Sequence, residues 1–287
     1  MKRIIYSFYI DIPKDELDIF DKNILKKNDT PINFVTKDAF KKNYTKLISC
    51  KKWYADQINV TFKLFEYDTN FILFKDNLKS KYPFLTTYNI VNFYKIHLLC
   101  ELSKEYDEIL YLDFDVVPMK LDNFFEVWDL SKGIAIHHNT HKVIQMDSVN
   151  EYTQTIRSPT SKYYNTQAML IDRDLNPKHK VVNTGIIGAN KKHIQQLKYF
   201  KNFDSDLKEM SKLTKGHDMF PKKITNFFGW DNETLFAVKL AENKVDVQWL
   251  NDKWHYFFST QGFIPKEVVL CHTINKDFEA VWRTYNA

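Results

Sequence analysis

A short apolar run that ends in two acidic residues constrains this fold more than any other feature. Residues 109–112 are Ile, Leu, Tyr and Leu, and Asp113 and Asp115 follow at once. Before the run, residues 87–104 are apolar almost all round at helical spacing, which predicts a buried helix. A continuous apolar run of this length is typical of a central strand in a mostly parallel sheet. The pattern therefore predicts an α/β fold.

The rest of the chain shows strand and helix patterns, without internal repeats, low-complexity tracts or linkers. Residues 56–68 mix helix and strand signals, 139–180 predict a surface excursion with some local structure, and 213–229 predict a loop. The remaining predicted strands are residues 3–10, 32–36, 133–138, 245–250 and 266–273. Residues 180–193 predict a strand, a turn and the start of a helix. The remaining predicted helices are residues 14–27, 191–212 and 230–244. We therefore expect one α/β domain over residues 1–287.

Composition indicates which class of molecule the protein binds and in which cellular compartment it lies. The net charge is +5 and the lysines are spread along the chain, which favours an anionic small molecule or an acidic surface over nucleic acid. Cys50, Cys100 and Cys271 form no CxxC pair, which predicts reduced thiols. The N-terminus reads as a first strand rather than a signal peptide, and no apolar run is long enough to span a membrane. These features predict a cytoplasmic protein, at most peripheral at a membrane.

Glycine is scarce, and its distribution excludes several nucleotide-binding devices. The chain has six glycines, and none lies in the first 132 residues. Phosphate-cradling loops need glycine so that backbone N–H groups can approach the phosphates. A P-loop, a kinase loop and a GxGxxG turn are therefore excluded from the N-terminal half. A nucleotide held there needs another partner for its phosphates, and a divalent metal ion held by carboxylates is the obvious one.

The two aspartates supply such carboxylates. If the chain stays extended through them, alternating strand geometry points Asp113 and Asp115 the same way, at the carboxyl end of a strand, where ligand crevices of α/β sheets lie. Adjacent carboxylates repel each other unless a cation joins them. Mg²⁺ or Mn²⁺ bridged to a diphosphate would satisfy both. The alternative is structural, with one Asp capping a turn and the other solvated.

Three later segments carry further candidate residues, each with a plain structural alternative. In "NTGIIGAN", Asn183 and Gly185 suit a backbone that lies close to a ligand, with an amide able to bind hydroxyl groups. The structural alternative is a plain tight turn. In "GWDNET", Asp231 and Asn232 begin a helix, where acidic residues are also common caps. In "VVLCHT", His272 ends a strand as a candidate ligand, although a lone histidine is usually structural.

Taken in order, these segments resemble the GT-A glycosyltransferases, most closely the retaining family 8 of glycogenin and the bacterial lipopolysaccharide galactosyltransferases. The resemblance covers about residues 88–283. The segment around "LYLDFDVVPM" is similar to the LYLDxDxL strand of that family, its DXD motif. "VVNTGIIGANKKH", "GWDNETLF" and "VVLCHTINKDFEAVW" are similar to its FNAGVLLINxxxW, DQDxLN and HxxGxxKPW segments. The last segment lacks the family's glycine and Lys-Pro-Trp, and Thr184 stands where the family usually has alanine.

The resemblance implies a role for each matched residue. The Mn²⁺ (or Mg²⁺) ligands would be Asp113, Asp115 and His272, with Asp113 or its neighbour also facing the ribose or sugar. Lys276 or Arg283 would replace the lysine that binds the diphosphate. The other implied residues contact the donor: Lys95 touches its sugar, Asn183, Asp231 and Asn232 lie near the anomeric carbon, and Ser7, Phe8 and Tyr9 supply the nucleoside pocket.

The function implied is metal-dependent transfer of a hexosyl group from a nucleoside-diphosphate sugar, UDP-linked, to a hydroxyl of a glycan, lipid-linked or protein acceptor, with retention. Asp231 would stabilise an oxocarbenium-like centre. Two alternatives stay open. A nucleotidyltransferase also pairs acids around a metal ion, although many such enzymes carry a Gly-rich N-terminal loop. A non-catalytic sugar-binding module needs aromatic rings and amides, but neither the Asp pair nor His272.

Overall fold

The chain is described by a computed structural model over residues 1–16, 26–27, 30–145, 158–259 and 262–285. In these ranges the strands are β1 (Arg3–Tyr9), β2 (Lys26–Lys27), β3 (Thr30–Pro31), β4 (Thr61–Glu66), β5 (Glu108–Leu112), β6 (Val116–Pro118), β7 (Ile134–His138), β8 (Val182–Asn190), β9 (Val247–Trp249), β10 (Tyr256–Phe258) and β11 (Leu270–Thr273). The helices are α1 (Ile32–Gln57), α2 (Thr69–Lys81), α3 (Thr87–Leu102), α4 (Phe124–Val127), α5 (Ser158–Asp172), α6 (Lys191–Leu197), α7 (Phe203–Leu213), α8 (Lys222–Thr225), α9 (Asn232–Glu242) and α10 (Phe278–Tyr285).

A six-stranded sheet with the order β4-β1-β5-β8-β7-β9 forms the centre of the fold. The pairs β1–β4, β1–β5 and β7–β9 are parallel, whereas β8 is antiparallel to both β5 and β7. The α/β class, with a mostly parallel central sheet flanked by helices, is therefore confirmed.

The predicted buried strand and helix are both confirmed, and each has a local cause. Every residue of β5 is buried, as its apolar run requires between β1 and β8. Helix α3 begins with a capping box, in which the Thr86 side chain accepts from the backbone N–H of Asn89 and the Asn89 side chain accepts from that of Thr86. Its apolar residues, including Ile90, Phe93 and Leu99, join the largest hydrophobic cluster.

A smaller sheet, β10-β11-β6, fixes the positions of the acidic residues. Asp113 and Asp115 lie between β5 and β6, and β6 pairs antiparallel with β11 so that Val116 lies opposite His272. The backbone N–H of Thr273 donates to the carbonyl of Asp115 at 3.0 Å. The register of this sheet therefore places His272 beside the aspartate pair, although the residues are distant in sequence.

Several local predictions are wrong. Residues 32–36 begin helix α1 rather than a strand, because Leu47, Cys50 and Tyr54 further along the same helix are buried and tertiary packing overrides the β-propensity of its first residues. Residues 191–212 form two helices instead of one, since Lys198 and Asn202 have left-handed backbone angles.

Other segments differ in part from the prediction. The predicted turn in residues 180–193 is absent, because β8 continues without a break to Asn190. The excursion at 139–180 contains helix α5, which buries Tyr164, Ala168 and Met169, and the loop at 213–229 contains the short helix α8. The sequence predicts a helix for residues 14–27. The structure has a single 3-10 turn at Lys14–Glu16 and strand β2 at Lys26–Lys27, and residues 17–25 lie outside the described ranges. Within the described part of the chain, no helix has the length and hydropathy to cross a membrane.

Candidate functional site

A cavity of about 830 Å³ opens beyond the carboxyl ends of β1 and β5, with the start of α9 in its wall. Its volume is in the range of small-molecule sites. Nearly all of the residues singled out in the sequence line it: Phe8, Tyr9, Lys95, Asp113, Asp115, Asn183, Asp231, Asn232, His272 and Lys276. The fold therefore brings together side chains from both halves of the chain.

Ser7 and Arg283 are not among the lining residues. Ser7 lies in the body of β1, paired with Leu64, and no part of it is exposed. Arg283 lies in α10, so that Lys276 alone of the two candidate phosphate-binding residues reaches the cavity. At the end of β1, by contrast, the ring of Tyr9 stacks on that of Phe114 with their centroids 4.7 Å apart, and both rings reach the cavity.

Asp113, Asp115 and His272 form one cluster. One ligand atom from each lies within 4.8 Å of the others, and no other group of this kind occurs in the described part of the chain. His272 Nε2 lies 3.3 Å from Asp115 Oδ2 and 3.9 Å from Asp113 Oδ2. Ligands about 2.1 Å from an octahedral ion lie roughly 3.0 to 4.2 Å apart, depending on whether they are adjacent or opposite. Two carboxylates and an imidazole in this arrangement therefore fit Mn²⁺ or Mg²⁺.

Two lysines hold the acids in place. Lys95 Nζ donates to Asp113 Oδ1 at 3.2 Å, and Lys276 Nζ donates to Asp115 Oδ2 at 2.5 Å. Burial alone raises the pKa of the Asp115 carboxyl, but Lys276 and His272 outweigh burial and hold that pKa well below its usual range. Asp115 is therefore ionised at neutral pH, as a metal ligand must be. The buried hydroxyl of Tyr111 also donates to Asp113 Oδ1.

His272 is held from behind by two close contacts. Its Nδ1 lies 2.9 Å from Nε2 of His255, which is completely buried. Burial lowers the pKa of the His255 imidazole well below its ordinary value, and the neighbouring His272 lowers it further. On the other side lies Gly185, where an added Cβ would come within 2.5 Å of the His272 ring. Gly185 therefore lies close to a side chain of the protein itself, and the tight turn weighed for it is replaced by a continuous strand.

The start of α9 supplies a second acidic group. Asp231 caps the helix, as predicted, because its side chain accepts from the backbone N–H groups of Glu233 and Thr234 and from the Thr234 hydroxyl. Burial raises the pKa of the Asp231 carboxyl, and Lys162 and Thr234 oppose that rise only in part. Glu233 forms an ion pair with Lys162. Burial raises the pKa of Glu233 as well, but Lys162 and Lys95 outweigh it and the net pKa is lowered.

Thr184 connects the acidic groups. Its hydroxyl accepts from Asn232 Nδ2 at 2.8 Å and from Lys95 Nζ at 3.3 Å, and it donates to Glu233 at 3.1 Å. Alanine at this position would leave these buried groups without a shared partner. Beside it, Asn183 lines the cavity, and its side-chain oxygen accepts from the backbone N–H of Gly185 at 3.0 Å.

Sequence patterns missed four residues that build this site. Glu233 was read only as part of a helix start, Tyr111 only as part of the apolar run, and Lys162 and His255 belong to no motif. Glu233 had a weak signal, since an acid two residues after a capping Asp is a common first-turn residue. Lys162 and His255 had none, because their positions depend on how α5 and β10 pack.

Comparison with known protein families finds no match, and no curated protein matches. Similar solved structures include mouse xyloside xylosyltransferase 1 in its apo form. The two sequences are 13% identical, the TM-score is 0.43, and the superposition covers 75% of this chain and 77% of that one. A glycosyltransferase involved in glycosylation of the major capsid of PBCV-1 is 11% identical over 100% of both chains, at 0.45. The galactosyltransferase LgtC, in complex with donor and acceptor sugar analogs, is 11% identical over 99% of this chain and 94% of that one, at 0.46. Since each of these three TM-scores lies below 0.5, the residues of the cavity carry the functional inference.

Proposed function

We propose that this chain is a metal-dependent glycosyltransferase that moves a hexosyl group from a UDP-linked sugar to a hydroxyl of a glycan, lipid-linked or protein acceptor, with retention. One observation carries the proposal. Asp113, Asp115 and His272 converge on one point in the wall of a cavity that also presents aromatic rings, lysines and amides. Such a set suits a ligand with a base, a diphosphate and a sugar.

Asp113, Asp115 and His272 would hold the ion. Mn²⁺ or Mg²⁺, when bound there, supplies a Lewis acid that offsets negative charge on a leaving diphosphate. Lys276 is placed to bind the same phosphates, because its ammonium already lies at the edge of the cluster on Asp115. With a divalent ion on that carboxylate, the Lys276 side chain would be available to an anionic ligand. Lys95 keeps Asp113 oriented and reaches the cavity from α3.

The aromatic rings lie where β1 ends. Phe8, Tyr9 and Phe114 line the cavity beside Asp115, and Phe40 packs on Phe114 at 5.4 Å. Flat rings beside a diphosphate site suit a nucleobase, since stacking buries its faces without requiring a particular hydrogen-bond pattern. We therefore assign the nucleoside to this end of the cavity.

The sugar is assigned to the end of the cavity formed by α9 and β8. The amides of Asn183 and Asn232 offer donors to hydroxyl groups, and Asp231, next to Asn232 in the chain, supplies a carboxylate in the same cavity. The Asp231 carboxylate is fixed by three hydrogen bonds from the first turn of α9. A fixed negative group can stabilise an oxocarbenium-like centre without reorganising during the reaction.

The test is a screen of nucleoside-diphosphate sugars for Mn²⁺-dependent hydrolysis and transfer, with the anomer of the product followed by NMR. We expect turnover with a UDP-sugar, loss of turnover in EDTA, recovery with added Mn²⁺, and a retained anomer. Release of pyrophosphate from a nucleoside triphosphate would instead favour a nucleotidyltransferase. Sugar binding that ignores EDTA, without donor hydrolysis, would point to a binding module.

A further inference from the structure

His255 is a buried imidazole with no evident structural reason for its polarity. It has no exposed surface, and its ring stacks on Phe257 at 4.5 Å and lies 5.0 Å from His137. The one hydrogen bond of its ring among the described residues joins His255 Nε2 to His272 Nδ1 at 2.9 Å, while the ring's Nδ1 has no partner there. Burying a polar group that is only half satisfied is costly, and a phenyl ring would fill the same apolar surroundings without that cost.

We propose that His255 is a positioning residue, which holds His272 in the orientation and tautomer that leave Nε2 free to bind the metal ion. The inference rests on the proposed metal-dependent function and deepens it. Outer-shell hydrogen bonds to a ligating histidine commonly fix both its ring orientation and its tautomer. Here the outer partner is a second histidine, where a carboxylate, a backbone carbonyl or water is usual.

The hydrogen count on the two rings is definite. A neutral imidazole carries one N–H and one bare nitrogen. If Nε2 of His272 binds an ion, the proton of that ring is on Nδ1, and it is donated to Nε2 of His255. The single proton of His255 then lies on its own Nδ1. Without an ion, Nε2 of His272 lies 3.3 Å from Asp115 Oδ2 and can donate to it, which favours the opposite arrangement on both rings.

The strand pairing explains why His255 can reach this position. Strands β10 and β11 are parallel, with Phe257 opposite His272 and Tyr256 opposite Cys271. His255 immediately precedes β10, and its backbone N–H donates to the carbonyl of Asn251. The pairing register therefore fixes the distance between the two rings, so that His255 cannot be replaced in this role by a neighbour along the chain.

The experiment measures Mn²⁺ affinity on the whole chain by EPR titration, without donor or acceptor. We expect His255→Phe to weaken Mn²⁺ binding by about 10- to 100-fold, the usual range for outer-shell changes. His255→Gln is expected to bind within a few-fold of the wild type, because a glutamine oxygen can accept from Nδ1–H of His272. His137→Phe is the matched control, since it also removes a buried imidazole beside Phe257 but has no bond to His272.

A second readout is the ¹⁵N spectrum of His272 with diamagnetic Mg²⁺. We expect a protonated Nδ1 in the wild type and in His255→Gln, and a mixture of tautomers in His255→Phe. Equal Mn²⁺ affinity in wild type and His255→Phe would overturn the inference, as would equal losses in His255→Gln and His255→Phe at unchanged melting temperature. Mn²⁺ binding by the wild type without turnover of any donor would overturn the proposed function and leave the positioning role standing. Absence of Mn²⁺ binding by the wild type would overturn both.

Discussion

The cavity contains two acidic pairs, and they differ in what their oxygens already bind. Asp113 and Asp115 follow β5, with Lys95 and Lys276 beside them, and one oxygen of each lies near His272 Nε2. In the second pair, at the start of α9, the partners of Asp231 among the described residues all lie in its own helix turn, and Glu233 accepts from Thr184 and Lys162.

The difference shows that the direction in which carboxylate oxygens point, rather than the number of acids, makes a pair suited to a metal ion. In each pair one acid is buried and the other is half-buried, and both pairs have lysine neighbours. Only the first pair directs oxygens at a point shared with a third ligand, whereas the second is occupied with holding α9 and α5 to β8. The first pair is therefore suited to an external cation and the second to fixing the shape of the cavity.

The largest expected effect comes from Asp115→Asn. It removes the charge on which the ion depends, so we expect Mn²⁺-dependent donor turnover to fall by about 1000-fold or more, since even outer-shell changes cost about 10- to 100-fold. Steady-state kinetics at saturating Mn²⁺ measures this loss. Asp129→Asn, an exposed cap outside the cavity, is the control and is expected to leave turnover unchanged. Undiminished turnover in Asp115→Asn would sink the metal assignment.

The next effect tests the structural role of the second pair. Lys162→Met leaves the buried Glu233 carboxylate without its ion-pair partner, and we expect the free energy of unfolding to fall by about 1–3 kcal/mol, because a buried acceptor left unsatisfied is costly. Urea denaturation measures it. The double variant Lys162→Met/Glu233→Gln is expected to recover most of the loss. A double variant as unstable as the single one would show that packing of the Lys162 side chain, rather than charge pairing, matters.

Two glycines in β8 separate metal binding from stability. Gly185→Ala places a methyl group against the His272 ring, so we expect Mn²⁺ affinity to fall by about 10-fold. Gly188→Ala instead meets the Phe124 ring at 2.5 Å, and we expect a loss of about 1–3 kcal/mol in stability with unchanged Mn²⁺ affinity. EPR titration measures the Mn²⁺ affinity of both variants, and urea denaturation measures their stability. Equal Mn²⁺ affinity in Gly185→Ala and the wild type would show that the His272 ring can shift freely.

Asp231 and Glu233 are expected to differ in their response to pH. The pKa of Glu233 is lowered in the folded state, so its stabilisation is present above its unfolded pKa, near 4.5, and is lost as pH falls through the folded value. The pKa of Asp231 is raised, so its contribution is favourable at low pH and is lost as pH rises through the folded value.

Unfolding free energies from pH 7 to pH 3 compare the two directly. Glu233→Gln is expected to lose less stability on acidification than the wild type, and Asp231→Asn is expected to lose more. Each slope changes by at most about 1.4 kcal/mol per pH unit. Parallel curves for the two variants would contradict the opposite pKa directions.

The smallest effect concerns the cap. Asp231→Ala is expected to cost about 1 kcal/mol and to lower the melting temperature by about 2–4 °C, whereas Asp231→Asn, an equally good cap, changes stability by only a few tenths of a kcal/mol at neutral pH. Differential scanning calorimetry measures both. If Asp231→Asn nevertheless reduces turnover, the carboxylate acts on the substrate as well as on the helix.

How much could be predicted from the sequence depends on whether the partners of a residue are local or distant in the chain. The run around Asp113 and Asp115 was readable because burial on both faces of β5 requires a continuous apolar segment, and the cap of α9 because its partners lie within three residues. His272 was noted locally only as a histidine at the end of a strand, and its role as the third ligand came from a family resemblance, because nothing local distinguishes it from a structural histidine. Lys162 and His255 could not be found, since their partners lie in segments brought near by tertiary packing. The strand wrongly predicted at 32–36 failed for the same reason.

The pairing of β6 with β11 has a consequence for folding. Because this register joins residues about 160 positions apart, the ligand cluster is complete only after β11 has docked against β6. Under the proposed function, an ion bound there would link the segment between β5 and β6 to strand β11. A ligand that binds only the folded state adds stability by mass action, about 2.7 kcal/mol at 100 times its dissociation constant. The supply of Mn²⁺ would then set the lifetime of this chain as well as its activity.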